Sequence, residues 1–259
     1  MRIKPEASPS HKHRFMNQRQ VPKAHYDFSR YVTKDRWASI WHQLDEVLAL
    51  QARSVLEIGP GPGLFKAIAG AFGAEVDTLD IDAELEPDYV ASADDMPFEA
   101  NSYDAVCAFQ MLEHVPYEVS LKIFNEMARV ARTAIVISLP DARPAWPYSL
   151  HIPKLGQVQF LFPRPITGLA RFVFDGQHYW EVNTKGYPLR RVVADLCAAG
   201  DVRLQRTYRV KENPYHRFFV FAAKDQAQPA QHTGHRRPSL EMITGRLMNR
   251  TSWVARWMR

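Results

Sequence analysis

Three glycines at alternate positions, Gly59, Gly61 and Gly63, follow directly on the apolar run SVLEI at 54–58 and lead into a helix-patterned stretch from Leu64 to Ala71. A buried strand that turns into a helix through such a loop presents backbone amides to a ligand, and glycine leaves no Cβ in the way. The same alternation continues along the chain. VDTLDID at 76–82, DAVCAF at 104–109 and TAIVISL at 133–139 read as strands, and EVSLKIFNEMARVAR at 118–132 as a helix. RRVVADLCAAG at 190–200 reads as a helix with Gly200 at its C-cap, followed by a closing pair of strands, VRLQRTYRV and RFFVFAAK. Ahead of the glycine loop, the spacing of Trp37, Ile40, Trp41, Leu44, Val47 and Leu48 predicts an amphipathic helix from about Ser29 to Leu50. Such a succession predicts an α/β domain in which a mostly parallel sheet carries helices on both faces.

The alternation breaks between residues 140 and 188, where seven prolines and many aromatics follow the strand at 133–139. An insertion at that point of a doubly wound sheet lies where ligands bind, so it is expected to wall a substrate. Charge divides the chain in the same way. Residues 1–25 carry +5 and residues 225–259 carry +4, so the body at 26–224 must carry −4 for the whole chain to sum to +5. The domain expected at 26–224 is thus mildly acidic between a loose basic N-terminal segment and a basic tail, a pattern that argues against a nucleic-acid groove across the body. No apolar run approaches the length of a membrane-spanning helix, Met1–Gln20 is too polar for a signal peptide, and the expected location is the cytoplasm. Two cysteines, Cys107 and Cys197, fit reduced buried thiols, with no disulfide framework and no metal site expected.

The glycine loop excludes two common phosphate readers. A dinucleotide fingerprint would need glycine where Leu64 or Lys66 stands, and the lysine-bearing triphosphate loop is absent. The acid-x-G-x-G-x-G stretch from Glu57 to Gly63 instead resembles the signature of class I S-adenosylmethionine-dependent methyltransferases. LDID at 79–82, ADDMPFEANSYDAV at 93–106 and MLEHVP at 111–116 extend the resemblance, and the set is similar to the type 11 subgroup. This resemblance implies a Rossmann-like, seven-stranded sheet with S-adenosyl-L-methionine as cofactor. It implies that Asp80, with Ile81 beside it, accepts the ribose hydroxyls, and that Glu57 lies near the methionine ammonium, directly or through water. Gly59, Gly61 and Gly63 would approach the cofactor, Ala93 and its neighbours would meet the adenine, and the backbone near Gln110 would face the methionine end. Ser92 stands where many relatives have an acid, leaving adenine to Asp94, to water or to backbone. Asp82 is expected to cap the following segment, and Met111 and Leu112 to belong to the core.

Methyl transfer needs alignment above all, and a base only when the nucleophile must lose a proton. His114 is one candidate base, with a structural role as its alternative. GQHYWE at 176–181 supplies His178 as a second candidate, with Tyr179, Trp180 and Glu181 as candidate substrate contacts or as packing of the insertion. His151 and His216 are weaker candidates. The acceptor expected is a small molecule or glycan. A lipid-linked or membrane-associated acceptor, or a non-catalytic cofactor-binding scaffold, are the other readings. Residues 239–258 carry a basic amphipathic pattern that suits a membrane surface or a protein partner, or docking on its own domain.

Overall fold

The computed structural model describes residues 26–223 apart from 155, 166–167 and 175. The N-terminal segment 1–25 and the amphipathic pattern at 239–258 lie outside the described residues.

A short helix α1 (Phe28–Tyr31) and a longer α2 (Lys34–Ala49) stand where one helix was expected. The division has a local cause. Thr33 takes an extended conformation and its side chain accepts from Arg36 N at 3.2 Å, so the helix restarts behind a proper N-cap. Ile40 and Val47 of α2 are buried, but Trp37 and Trp41 lie on its outer face, 49% and 57% exposed, contrary to their place in the expected apolar stripe.

The sheet then builds through β1 (Ser54–Ile58), α3 (Leu64–Ala71), β2 (Glu75–Asp80), β3 (Tyr89–Val90), β4 (Tyr103–Phe109), α4 (Tyr117–Val130) and β5 (Ala131–Pro140). A hairpin of β6 (Ala145–Ile152) and β7 (Gly156–Pro163) follows, then α5 (Leu189–Gly200), β8 (Val202–Arg209) and β9 (His216–Ala223). Seven strands form one sheet in the order β3-β2-β1-β4-β5-β9-β8. Pairings from β3 across to β5 are parallel, whereas β9 runs antiparallel to both β5 and β8. This is the expected mostly parallel α/β architecture, with the insertion after β5.

Two apolar layers flank the sheet. One packs Phe65 of α3 and Val47 of α2 against Val55, Cys107, Val136 and Phe218. The other packs Phe124 and Met127 of α4 and Leu196 of α5 against Leu56, Val106, Ile135 and Phe221. Burying each such side chain contributes about 1.5–3 kcal/mol. Because β1 lies between β2 and β4, the connections leaving β1 and β4 pass to opposite faces and open a crevice at the carboxyl ends of the strands.

Gly200 proves to be the last residue of α5, and Asp201 takes the left-handed cap at φ +50°. What demands glycine at 200 is packing. A Cβ there would lie 2.9 Å from Phe124 Cε1 and 3.0 Å from Ala128 Cβ on α4. Gly200→Ala is therefore expected to destabilise the fold by about 1–3 kcal/mol through overpacking, read by denaturant unfolding. Unchanged stability would mean that α4 and α5 have slack at this contact.

Candidate active site

The crevice is lined at its floor by Ile58, Gly59 and Leu79, and along its walls by Asp80, Ile81, Ala93, Asp94, Gln110, Met111 and His114. Strand ends hold these residues in place. Gly59 N donates to Leu79 O at 2.9 Å, joining the ends of β1 and β2. Gln110 N donates to Ser138 O at 3.0 Å and holds that residue at φ +53°, a turn that points the chain back over the crevice. A Cβ on Gly59 would come within 2.7 Å of Met111 Cγ, so glycine is required there by contact as well as by its φ of +68°. Met111 thus belongs to the crevice wall, while Leu112 behind it is buried as expected.

Asp80 ends β2 with its Oδ1 accepting from Asp82 N at 2.9 Å. Burial raises its pKa, against the lowering effect of the backbone amides of Asp82 and Ile81. Asp82 in turn accepts from Glu84 N at 3.0 Å, capping the short 3-10 turn Ala83–Leu85 as expected. Ser92 donates through its hydroxyl to Asp94, which sets that carboxylate beside Ala93.

Glu57 faces a smaller cavity that shares Gly59 and Gln110 with the main one and adds Tyr31, Arg36 and His216. Its side chain is buried, Oε2 has no hydrogen-bond partner, and burial pushes the carboxyl up to about 8, with Lys66 pulling the other way. Leaving such an oxygen unpaired is costly, and an arriving cation or donor would relieve that cost. His216, at the start of β9, is pushed down to about 3 by burial and then by Arg36, so it stays neutral and acts as wall. Gly61 and Gly63 line an adjoining opening with Tyr26 and Lys66. Tyr26 crosses the glycine loop so closely that a Cβ on Gly61 would lie 3.0 Å from its Cε1. The tyrosine also borders the main cavity, a role that no motif announced, although it opens the aromatic run YDFSRY.

The acceptor side is assembled from distant segments. Residues 177–180 clasp the 3-10 turn Leu112–His114: Tyr179 N donates to Glu113 O at 2.8 Å, and Trp180 Nε1 donates to Leu112 O at 3.2 Å. His114 and His178, 64 positions apart in the chain, meet edge to face with ring centroids 4.9 Å apart. His114 Nδ1 lies 3.2 Å from Gln177 O, and His178 Nδ1 lies 2.9 Å from Glu181 Oε1. Tyr215 OH donates to the same Glu181 oxygen. Beneath them Glu113 is wholly buried with neither carboxylate oxygen paired, and burial pushes it up to about 8. Donor atoms of Glu113, His114 and His178 lie within 4.8 Å of one another. Trp180 does not fit the substrate role expected of it. Its side chain is fully buried against Tyr117 and Tyr187, so it props the loop from below and presents no surface to an acceptor. Tyr179 is half-buried and packs against Phe174 at 4.9 Å.

Residues 56–135, which span β1 through the start of β5, match the family model described as a methyltransferase domain. Within the chain, residues 56–135 are a methyltransferase domain. Among curated proteins none matches the sequence. Among solved structures, a Pyrococcus horikoshii protein covers 79% of this chain and all of its own at 16% identity and a TM-score of 0.50, which supports the fold. Magnesium protoporphyrin IX methyltransferase from Synechocystis, crystallised with S-adenosylmethionine, covers 82% of this chain and 89% of its own at 14% identity and a TM-score of 0.47. A Burkholderia thailandensis 1,6-didemethyltoxoflavin N1-methyltransferase covers 86% and 94% at 14% identity and a TM-score of 0.49. In this methyltransferase domain the matched segment holds Glu57, the three glycines, Asp80, Ala93, Asp94, Gln110 and His114, whereas His178 and Glu181 come from outside it. No helix among the described residues is long and apolar enough to cross a membrane.

Proposed function

We propose that this methyltransferase transfers a methyl group to a small-molecule or glycan acceptor, using the crevice for the cofactor and the His114–His178 pair for the acceptor. The observation that supports this reading is the meeting of those histidines at the crevice, with His114 on its wall and His178 backed by Glu181.

The donor set suits the cofactor. Asp80 offers an acidic acceptor for a ribose diol, and Glu57 offers a buried unpaired oxygen for an ammonium. Gly59 and Gly61 keep the floor bare, and Ala93 with Asp94 forms the adenine side. S-adenosylmethionine supplies, when bound, a sulfonium methyl open to in-line attack. His114 takes the proton from an acceptor hydroxyl or amine as the nucleophile attacks. His178, held by Glu181 and Tyr215, packs its ring against His114 and sets the orientation of that ring. Tyr179 and Glu181 border the acceptor's path, and with His114 as the base this step calls for no metal, so a chelator is expected to leave turnover unchanged.

His114→Ala is expected to leave cofactor affinity within about twofold and to lower kcat by roughly a hundredfold or more. Equal rates for variant and parent would return His114 to a structural role. A second reading, a lipid-linked acceptor, draws support from the exposed apolar hairpin at 145–163. The non-catalytic scaffold is disfavoured by the acids retained at 57 and 80.

A further inference from the structure

Among the described residues, the β6–β7 hairpin pairs with itself alone and adds no strand to the main sheet. Its register places Trp146 opposite Phe162, Tyr148 opposite Phe160 and Leu150 opposite Val158, all on one face. Proteins seldom leave such a face to water, and a lone two-stranded ribbon gains little stability by itself. Yet five of these six side chains are 40–54% exposed. The three rings of Tyr148, Phe160 and Phe162 pack among themselves, and the Arg164 guanidinium lies over Trp146 at 5.5 Å. The other face carries Ser149, Gln159, His151 and Gln157 beside Ala145, Pro147, Leu161 and Pro163. Among the described residues, none from 145 to 163 lines the cavities at the crevice, so the aromatic face stands apart from the cofactor site.

Charge selects the occupant. Residues 142–174 hold Arg143, Lys154, Arg164 and Arg171 and not one Asp or Glu. A second copy would set this cationic segment against itself. An anionic surface neutralises all of them. Trp and Tyr with flanking cations are also the side chains that settle at the boundary between lipid headgroups and acyl chains.

We propose that the β6–β7 hairpin is a peripheral membrane-docking element that lays its Trp146–Tyr148–Phe162 face on an anionic phospholipid surface. This role is independent of which acceptor the domain methylates.

Sedimentation of the full-length chain with vesicles tests it, comparing phosphatidylcholine alone with an equal mixture of phosphatidylcholine and phosphatidylglycerol. Binding to the mixture is expected to exceed binding to phosphatidylcholine by at least about tenfold. The double variant Trp146→Ser/Phe162→Ser is expected to lose at least about tenfold of that binding while keeping its S-adenosylmethionine affinity and its melting temperature. Arg143→Glu/Lys154→Glu should weaken it in the same direction without touching the apolar face. Absence of binding to the anionic vesicles would overturn the docking role. Binding that neither hairpin variant alters would overturn it too, by assigning the contact to the basic ends of the chain. A parent chain of twice the monomer mass that the aromatic variant returns to monomer would give the face to a second copy.

Discussion

Asp141→Ala is expected to destabilise the domain by about 3–5 kcal/mol, the largest effect of any single change considered. Asp141 follows β5 at the start of the insertion, and its carboxylate is wholly buried. Oδ2 accepts from Arg217 Nε on β9 at 2.7 Å and lies 3.6 Å from Arg209 Nε on β8. Oδ1 accepts from Arg143 N and from Asn183 Nδ2, each at 3.0 Å. One carboxylate therefore joins the two antiparallel strands to both ends of the insertion. Removing it leaves two guanidinium groups, 12% and 13% exposed, without the charge that offsets their burial. Burial already lowers the pKa of Arg209, and Asp141 is the group that opposes this. A loss of that size is a large share of the roughly 5–15 kcal/mol that a domain possesses. It also frees the return segment 182–184, which follows His178 and Glu181, so turnover should fall with stability. Denaturant unfolding measures the first effect, and Asp141→Asn, which keeps the shape but not the charge, should lie between parent and alanine. A loss below about 1 kcal/mol would show that the two arginines find water instead.

Asp80→Ala is expected to weaken S-adenosylmethionine binding by about 1.5–3 kcal/mol, since a carboxylate accepting from two hydroxyls forms charge-assisted bonds. In the free protein, burial holds the Asp80 carboxyl above its ordinary range. Ribose hydroxyls favour its ionised form, so affinity should fall as pH is lowered through that raised pKa, and the alanine variant should lose this dependence. Calorimetric titration across mildly acidic to neutral pH measures both. An alanine variant with the parent's affinity would remove Asp80 from the site.

Strands β1, β4 and β5 were legible because each is an apolar run closed by turn residues or a charged stretch, and their burial leaves the side chains no other use. Tyr89–Val90 escaped notice because a two-residue edge strand has no periodicity to read. The β6–β7 hairpin was hidden by Pro147 and Pro163, which a strand tolerates only at an unpaired position or an edge. The glycine loop and Asp80 could be read locally, since one continuous segment carries the chemistry. Tyr26 over the loop, and the contact of His114 with His178, depend on how the 3-10 turn at 112–114 is clasped from residue 177 onward. Nothing in the local pattern of either segment encodes that contact. Local pattern leaves Trp180 open between substrate contact and packing, since a tryptophan beside a histidine and a glutamate suits either; its buried indole, donating to Leu112 O, fits the packing role.

The measurement that bears most directly on the account is calorimetric titration of the full-length chain with S-adenosylmethionine, S-adenosylhomocysteine and NAD in parallel. Binding of the first two, each weakened in Asp80→Ala, with no heat from NAD, is the predicted result. A folded chain that binds none of the three, or that prefers NAD, would contradict the reading of the crevice as a methyl-donor site.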